Sequence, residues 1–220
     1  MLRYIFKIVT ANKSFFLPYL TFLFFCLLAL FLFEKGSIHI AINSESNGAA
    51  DVFFKYLTFL GDGRMITVYA LILVFISYRS VLILLISNLF TGGITLLLKI
   101  YVFNDVLRPL KYFENIYQLR LVPGVDVYLH NSMPSGHTAV AFCSFTTFSL
   151  LSKNKSLGFL FFLIAGLIGF SRIYLSQHFL NDVLIGSLIG VFFALLVYSV
   201  FEKTVQSKKL EGALFKKYKA

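Results

Sequence analysis

Long apolar runs, each bounded by charged or polar residues, constrain the fold of this chain more than any other feature. The first covers residues 15–33, which is enough to cross the hydrocarbon core of a bilayer as a helix. Within that core every backbone N–H and C=O needs an internal partner, and a helix supplies them. Because 58% of the residues are hydrophobic and only 14% are charged, the composition excludes a soluble globular domain. We predict one all-α membrane domain covering residues 1–220.

Six apolar runs predict six transmembrane helices packed in a bundle. A polar segment at residues 34–64 interrupts the series, and within it residues 52–60 predict either a short interfacial helix or the early start of the next span. Pro109, Pro123 and Gly124 indicate a loop between the third and fourth spans. The predicted spans are residues 15–33, 65–78, 81–98, 134–151, 157–170 and 179–201.

Lys and Arg residues are distributed unevenly between the two sides of the predicted bundle. Six spans place the N-terminus, Arg79, the turn at 152–156 and a basic tail at 202–220 on one side, which carries twelve of the 20 basic residues. Cytoplasmic loops are enriched in Lys and Arg, so we predict that both termini are cytoplasmic. The formal net charge of +10 is concentrated at membrane edges, and no solvated basic domain is present to bind nucleic acid.

Two histidines lie at the outward ends of predicted spans. Ionisable residues beside hydrocarbon are costly and are usually functional. His178 precedes Asp182 by four residues, so a helix that begins near His178 brings the carboxylate to the imidazole. This contact fixes the tautomer and leaves the other ring nitrogen free to attack. We therefore predict that His178 is a nucleophile oriented by Asp182.

The sequence P-S-G-H, which ends at His137, predicts an anion site at a helix N-terminus. Proline fits a first helical turn, and Asn131 or Ser132 is the expected cap. The N–H groups of Ser135, Gly136 and His137 are then expected to face outward and bind an anion. His137 would stand beside that anion, where it can protonate a departing oxygen and afterwards activate water.

Lys99, Arg108 and Arg172 add three cations to the same face of the predicted bundle. A phosphate needs donors from several directions, and these cations with Ser135 and Gly136 can supply them. On an unbroken helix nine positions turn two residues about 180° apart. We therefore expect the third span to end before Arg108, near residues 104–105. No cluster of carboxylates suits magnesium.

These residues form three motifs in order: Lys99 with Arg108-Pro109, then P-S-G-H, then S-R-x5-H-x3-D at residues 171–182. The chain resembles the type 2 phosphatidic acid phosphatase family over this signature region, residues 99–182. The second and third motifs match letter for letter, whereas eight residues separate Lys99 from Arg108 where the commonest family pattern has six. The resemblance implies the same roles for the two histidines, and it implies that no metal or other cofactor is required.

We expect a phosphatase that hydrolyses a membrane lipid phosphate or diphosphate through a phosphohistidine at the bilayer surface. Phosphatidylglycerol phosphate, phosphatidic acid, undecaprenyl diphosphate and lipid A phosphate are the candidate substrates. One alternative is a lipid phosphotransferase that uses the same site, and another is a transporter or scaffold with a vestigial pocket. A haloperoxidase is disfavoured, because those enzymes resemble soluble proteins.

Short loops predict a bacterial inner membrane protein with a periplasmic active site, and a eukaryotic lumenal site is the alternative. No pattern in the sequence indicates an oligomeric state. His39 and His130 are expected to be incidental interfacial residues. Arg120 and Lys111 are expected either to contact lipid headgroups or to be solvated.

Overall fold

A computed structural model describes residues 2–45, 47–204, 210 and 212–214. These residues form ten α-helices and one 3-10 helix, and no strand occurs among them. The all-α class is therefore confirmed for the described part of the chain. The helices are α1 (Leu2–Ala11), α2 (Lys13–Leu32), α3 (Lys35–Ser44), α4 (Gly48–Leu57), α5 (Met65–Val74), α6 (Tyr78–Tyr101), α7 (Pro109–Tyr112), α8 (Gly136–Leu151), α9 (Leu157–Tyr174) and α10 (Leu180–Thr204), with the 3-10 helix at Thr58–Gly61.

Four of these helices, α2, α6, α9 and α10, are long and apolar enough to cross a membrane. The segment made of α4 and the 3-10 helix meets α5 at a bend of 62°, and the two together make a fifth candidate if they are one broken span. Helix α8 has 16 residues and is shorter than the roughly 20 that a span usually needs. Within the described residues the chain is an integral membrane protein with four or five candidate spans, and the count of six stays a prediction.

The predicted spans agree with the observed helices to within a few residues at most ends. Helix α9 continues to Tyr174, four residues beyond the predicted end, and so carries Arg172 in its last turn. The predicted segment at 52–60 coincides with α4 and the 3-10 helix. Asp62 makes the turn that follows, because its Oδ1 accepts the backbone N–H of Arg64 at 2.9 Å.

Two glycines allow α8 and α10 to touch backbone to backbone. A Cβ atom on Gly186 would lie 2.6 Å from the carbonyl oxygen of Ser135, and one on Gly190 would overlap the carbonyl oxygen of Ala139. Small residues four positions apart commonly bring membrane helices together in this way. The first turns of both helices therefore lie side by side, and the Ser135 N–H donates to the Asp182 carbonyl oxygen at 3.0 Å.

The apolar core lies between α2, α8 and α9. Phe15, Phe142 and Ile168 have no exposed surface there, and the Phe15 ring packs edge-to-face on Phe162 with centroids 6.2 Å apart. Because lipid is as apolar as these side chains, van der Waals packing stabilises this core more than removal from water does.

Polar contacts mark the two ends of the bundle. At one end Arg79 pairs with Glu202 at 2.9 Å, and the hydroxyl of Ser14 donates to the carbonyl oxygen of Lys155. The motif residues lie at the opposite end. Most of the basic tail predicted at 202–220 falls outside the described residues.

Candidate active site

His178 lies in the short segment between α9 and α10, two residues before α10 begins. Its Nδ1 is 3.4 Å from Oδ2 of Asp182. The same carboxylate oxygen accepts the backbone N–H of Phe179 at 2.9 Å and the hydroxyl of Ser132 at 2.5 Å. Asp182 occupies the first turn of α10, where the helix dipole also favours a carboxylate. The predicted contact is present although the helix begins later than expected.

The His178 side chain is only 2% exposed. Burial lowers the pKa of His178 to about 3, and the Asp182 carboxylate opposes that shift. The imidazole is therefore neutral at pH 7, as a nucleophile must be. Its Nε2 lies 3.5 Å from Nη1 of Arg108, so the nitrogen that does not face Asp182 faces a guanidinium.

Lys99 and Arg108 belong to different segments, because α6 ends at Tyr101. The expected helix end before Arg108 is confirmed, three residues earlier than residue 104. The Lys99 ammonium donates to the carbonyl oxygen of Asn131 at 2.6 Å. This hydrogen bond connects the last turn of α6 to the loop that precedes the P-S-G-H motif at residues 134–137.

Arg108 holds the loop around the site together through main-chain carbonyls. Its Nε donates to the His130 carbonyl oxygen at 2.9 Å, and its Nη1 donates to the Gln177 carbonyl oxygen at 3.1 Å. Burial lowers the pKa of Arg108, while the Asp182 carboxylate acts in the opposite direction. The guanidinium still carries its charge at neutral pH, because arginine is not deprotonated in proteins.

Arg172 is the most deeply buried of the three cations, with 7% of its surface exposed. Its Nη1 donates to the Thr58 hydroxyl at 2.6 Å, whereas its Nε has no hydrogen-bond partner among the described residues. Lys99 lies close enough to Arg108, Arg172 and Asp182 to interact with them electrostatically. The structure thus brings the three predicted cations together around His178 and Asp182.

Ser135 is the N-cap of α8, which begins at Gly136. Its hydroxyl oxygen accepts the Thr138 N–H at 3.4 Å and the Thr138 hydroxyl at 2.8 Å. The prediction that Asn131 or Ser132 caps this helix was wrong. Helix α8 begins after Ser135, and the Ser132 hydroxyl donates instead to the Asp182 carboxylate.

The N-terminus of α8 offers fewer free donors than expected. The Ser135 N–H donates to a main-chain carbonyl of α10, so the prediction that it faces outward was wrong. Gly136 and His137 occupy the first two helical positions, whose N–H groups have no carbonyl partner within a helix. Any anion site at this helix end therefore uses these two N–H groups.

A cavity of about 300 Å³ adjoins this helix end. Lys99, Gly136 and His137 lie in its wall together with small residues of α6 and of the turn before α5. The volume is at the lower end of the range for ligand pockets. All the predicted site residues thus lie at one end of the bundle, and three of them share this cavity.

His39 was expected to be incidental, but it is fully buried behind the segment that carries His178. Its Nε2 lies 3.2 Å from Oγ of Ser176, and its ring packs between Phe113 and Phe179. Burial lowers the pKa of His39 to about 4. Ser176 has a φ of 54°, a left-handed conformation that such contacts must hold in place.

Two further cations at this end of the bundle have side-chain partners. Arg120 pairs with Asp51, and Lys111 pairs with Glu114 at 2.5 Å, although both cations stay partly exposed. His130 contributes only its main-chain carbonyl to the contacts of the site.

The fold and the site together define an integral membrane protein with a buried histidine–carboxylate pair that faces clustered cations. The model of the PAP2 superfamily matches residues 80–206, which is more than half of the chain. The chain belongs to the PAP2 superfamily, as the three motifs predicted.

Two solved structures are similar to this chain. Aquifex aeolicus LpxE is 28% identical with a TM-score of 0.65, over 74% of this chain and 93% of that chain. The transmembrane PAP2 type phosphatidylglycerolphosphate phosphatase from Bacillus subtilis is 25% identical with a TM-score of 0.63, over 89% and 98% of the two chains.

Among curated proteins, phosphatidylglycerophosphatase B of Bacillus subtilis is 37% identical over 81 residues, which make up 33% of this chain and 40% of that protein. This chain spans less than half the length of the curated relatives it matches.

Proposed function

We propose that this protein is a phosphatase that hydrolyses a membrane lipid phosphate or diphosphate, with His178 as the nucleophile. One observation carries the proposal. The His178 ring is buried and neutral, with one nitrogen toward the Asp182 carboxylate and the other toward the Arg108 guanidinium. A phosphoryl group held by Arg108 would meet the free lone pair of that ring.

The reaction proceeds in two steps. In the first, Nε2 of His178 attacks phosphorus, the bond from phosphorus to the leaving oxygen breaks, and His137 gives that oxygen a proton. In the second, His137 takes a proton from water, and the resulting hydroxide displaces the imidazole and releases inorganic phosphate. Lys99, Arg108, Arg172, the hydroxyl of Ser135 and the N–H groups of Gly136 and His137 are the proposed donors to the phosphoryl oxygens.

The positive charge needed in the transition state comes from the protein, so we propose a reaction without a metal or other cofactor. In the described part of the chain no group of three or more His, Cys, Asp or Glu side chains could hold a metal ion. Excess chelator is expected to leave the rate unchanged. Loss of activity that a divalent ion restores would contradict this part of the proposal.

The substrate belongs to a short series of membrane lipids. Phosphatidylglycerol phosphate, phosphatidic acid, undecaprenyl diphosphate and lipid A phosphate are the candidates, and proteins similar to this chain include a lipid A 1-phosphatase and a phosphatidylglycerophosphatase. Phosphate release by purified protein over these four lipids would identify the preferred one.

The nucleophile is tested by trapping the intermediate. His178→Ala and His137→Ala are each expected to abolish most turnover while the protein still inserts into membranes. Only His178→Ala should remove the trappable phosphoenzyme, because His137 acts on the leaving group and on water. A phosphate adduct on another residue would contradict the assignment.

A lipid phosphotransferase is the second candidate, since the same site could pass the phosphoryl group to a lipid acceptor. Release of inorganic phosphate in detergent without an added acceptor favours hydrolysis. A transporter or scaffold requires that both histidines be dispensable, and the two alanine variants test that as well.

We further propose one membrane domain over residues 1–220 with six spans, cytoplasmic termini and a periplasmic site in a bacterial inner membrane. The supporting observation is that Arg79, Glu202 and Lys155 lie at one end of the bundle and the motif residues at the other. A reporter that is active only in the periplasm should be silent when fused after Ala220. An active reporter would indicate the inverted orientation.

A further inference from the structure

Asp62 lies in the turn before α5 and approaches the His137 ring. Its Oδ2 is 3.8 Å from Nε2 of His137. The other charged groups that act on this imidazole are Arg172, Arg108 and Arg64, all of them cations. Asp62 is therefore the one carboxylate that acts on the His137 ring within the described residues.

The position of Asp62 beside His137 is fixed by a close main-chain contact of the preceding residue, Gly61. A Cβ atom on Gly61 would lie 2.8 Å from the carbonyl oxygen of His137 and 2.7 Å from the Ile168 side chain, so only glycine allows this contact. The Asp62 carboxylate is also held by the exposed side chain of Arg64. Arg64 donates from Nε to Oδ1 and from Nη2 to Oδ2 of Asp62, each at 3.0 Å.

The arginines of the site disfavour the protonated form that His137 needs as a general acid. Burial and three neighbouring cations favour the neutral imidazole, whereas the proposed first step needs a proton on that ring. A carboxylate at this distance favours the protonated ring and so acts against the cations. The phosphate of the substrate cannot do this before it is bound.

We propose that Asp62 is the positioning residue of His137, orienting the ring and keeping its proton available for the leaving oxygen. This inference rests on the proposed phosphatase function and adds a fourth titratable residue to His178, Asp182 and His137. In the first step the proton passes from His137 to the leaving oxygen, and the ring becomes neutral. Asp62 stays ionised throughout, because the hydrogen bonds from Arg64 lower the pKa of this carboxyl.

The leaving group provides the test. Asp62→Asn keeps the size of the side chain and removes its charge. An alkyl phosphate of a lipid needs protonation of its leaving oxygen, whereas 4-nitrophenyl phosphate has a leaving group stable as an anion. Asp62→Asn is expected to slow the lipid phosphate at least about tenfold and the aryl phosphate much less. His137→Ala should show the same preference, and Asp62→Glu should restore part of the lipid activity.

Asp51→Asn is the matched control. Asp51 is also an aspartate that pairs with an arginine, and it additionally accepts the Tyr174 hydroxyl at 2.7 Å, but within the described part of the chain no hydrogen bond or ion pair joins it to His137 or His178. Its loss should slow both substrates equally. If Asp62→Asn also slowed both substrates equally, Asp62 would have only a structural role and the inference would be wrong.

A direct titration separates this inference from the proposed function. The His137 ring signal, assigned by comparison with His137→Gln, can be followed by NMR against pH in detergent. Asp62→Asn should move its midpoint down by about one pH unit or more, because the protonated ring loses its carboxylate. An unchanged midpoint would overturn the inference. Failure of the wild-type protein to release phosphate from any substrate would instead overturn the phosphatase proposal.

Discussion

Arg108 and Lys99 carry the same charge, but their geometry gives them different expected weights in phosphate binding. A guanidinium can hold two phosphoryl oxygens at once, and an ammonium cannot reproduce that fork. We therefore expect Arg108→Lys to be nearly inactive. Lys99→Ala should lose about a hundredfold in rate, the usual cost of removing one preorganised donor, about 3 kcal/mol.

The measurement is kcat/KM on one lipid phosphate in detergent, with Lys111→Ala as the control because Lys111 pairs with Glu114. Near-normal activity in Lys99→Ala would show that Lys99 serves only to hold the carbonyl of Asn131.

At the level of single residues the sequence predicted the candidate catalytic residues. It did not predict the residues that contact and orient them. His137, His178 and Asp182 stand in motifs whose spacing has a chemical reason. Ser132 and Asp62 stand in no such pattern, because they reach the site only through the packing of α10 and of the turn before α5. A serine or an aspartate in a polar loop carries no signal of such a contact.

Glycine spacing determines how the helices that carry the site pack. Gly190 faces the backbone of α8, so the Cβ of Gly190→Ala would push the two helices apart. We expect this variant to lower both the thermal midpoint and the activity. Gly93 on α6 has no atom within 4 Å of its Cβ position, so Gly93→Ala should stabilise the helix by up to about 1 kcal/mol.

Thermal unfolding in detergent, followed by circular dichroism, measures both variants. If Gly190→Ala were as stable as the wild type, the close contact of α8 and α10 would not be needed for folding.

At the level of helices, hydrophobicity predicted the long elements well and the short ones poorly. Helices α2, α6, α9 and α10 are continuous apolar runs, so their existence follows from composition alone. The bend between the 3-10 helix and α5 depends on Gly61 fitting against the backbone of α8, a contact between segments far apart in sequence. The spacing of Gly186 and Gly190 was visible in the sequence and could have predicted the helix pair.

The whole molecule should become less stable as the pH falls, because two of its histidines are buried in the neutral form. Burial lowers the pKa of His178 to about 3 and that of His39 to about 4. In the unfolded chain histidine titrates near 6.5, so below that pH the unfolded state binds more protons. Stability is therefore complete above about pH 6.5 and is lost progressively toward pH 4.

We expect the thermal midpoint in detergent to be lower at pH 5 than at pH 7.5, by an amount that corresponds to about 2 kcal/mol for each such histidine. His39→Gln should reduce this difference, and His130→Gln, at an exposed position, is the control. Equal midpoints at the two pH values would show that neither ring is buried in its neutral form.

The backbone contact between α8 and α10 also affects how the protein responds to its bilayer. A membrane that thins or thickens changes the tilt of the helices that span it. Because the first turns of α8 and α10 are joined main chain to main chain, His137 and Asp182 must move together when either helix tilts. The distances between these proposed catalytic residues are therefore expected to depend little on lipid composition, so one arrangement of the site can be kept in membranes of different thickness.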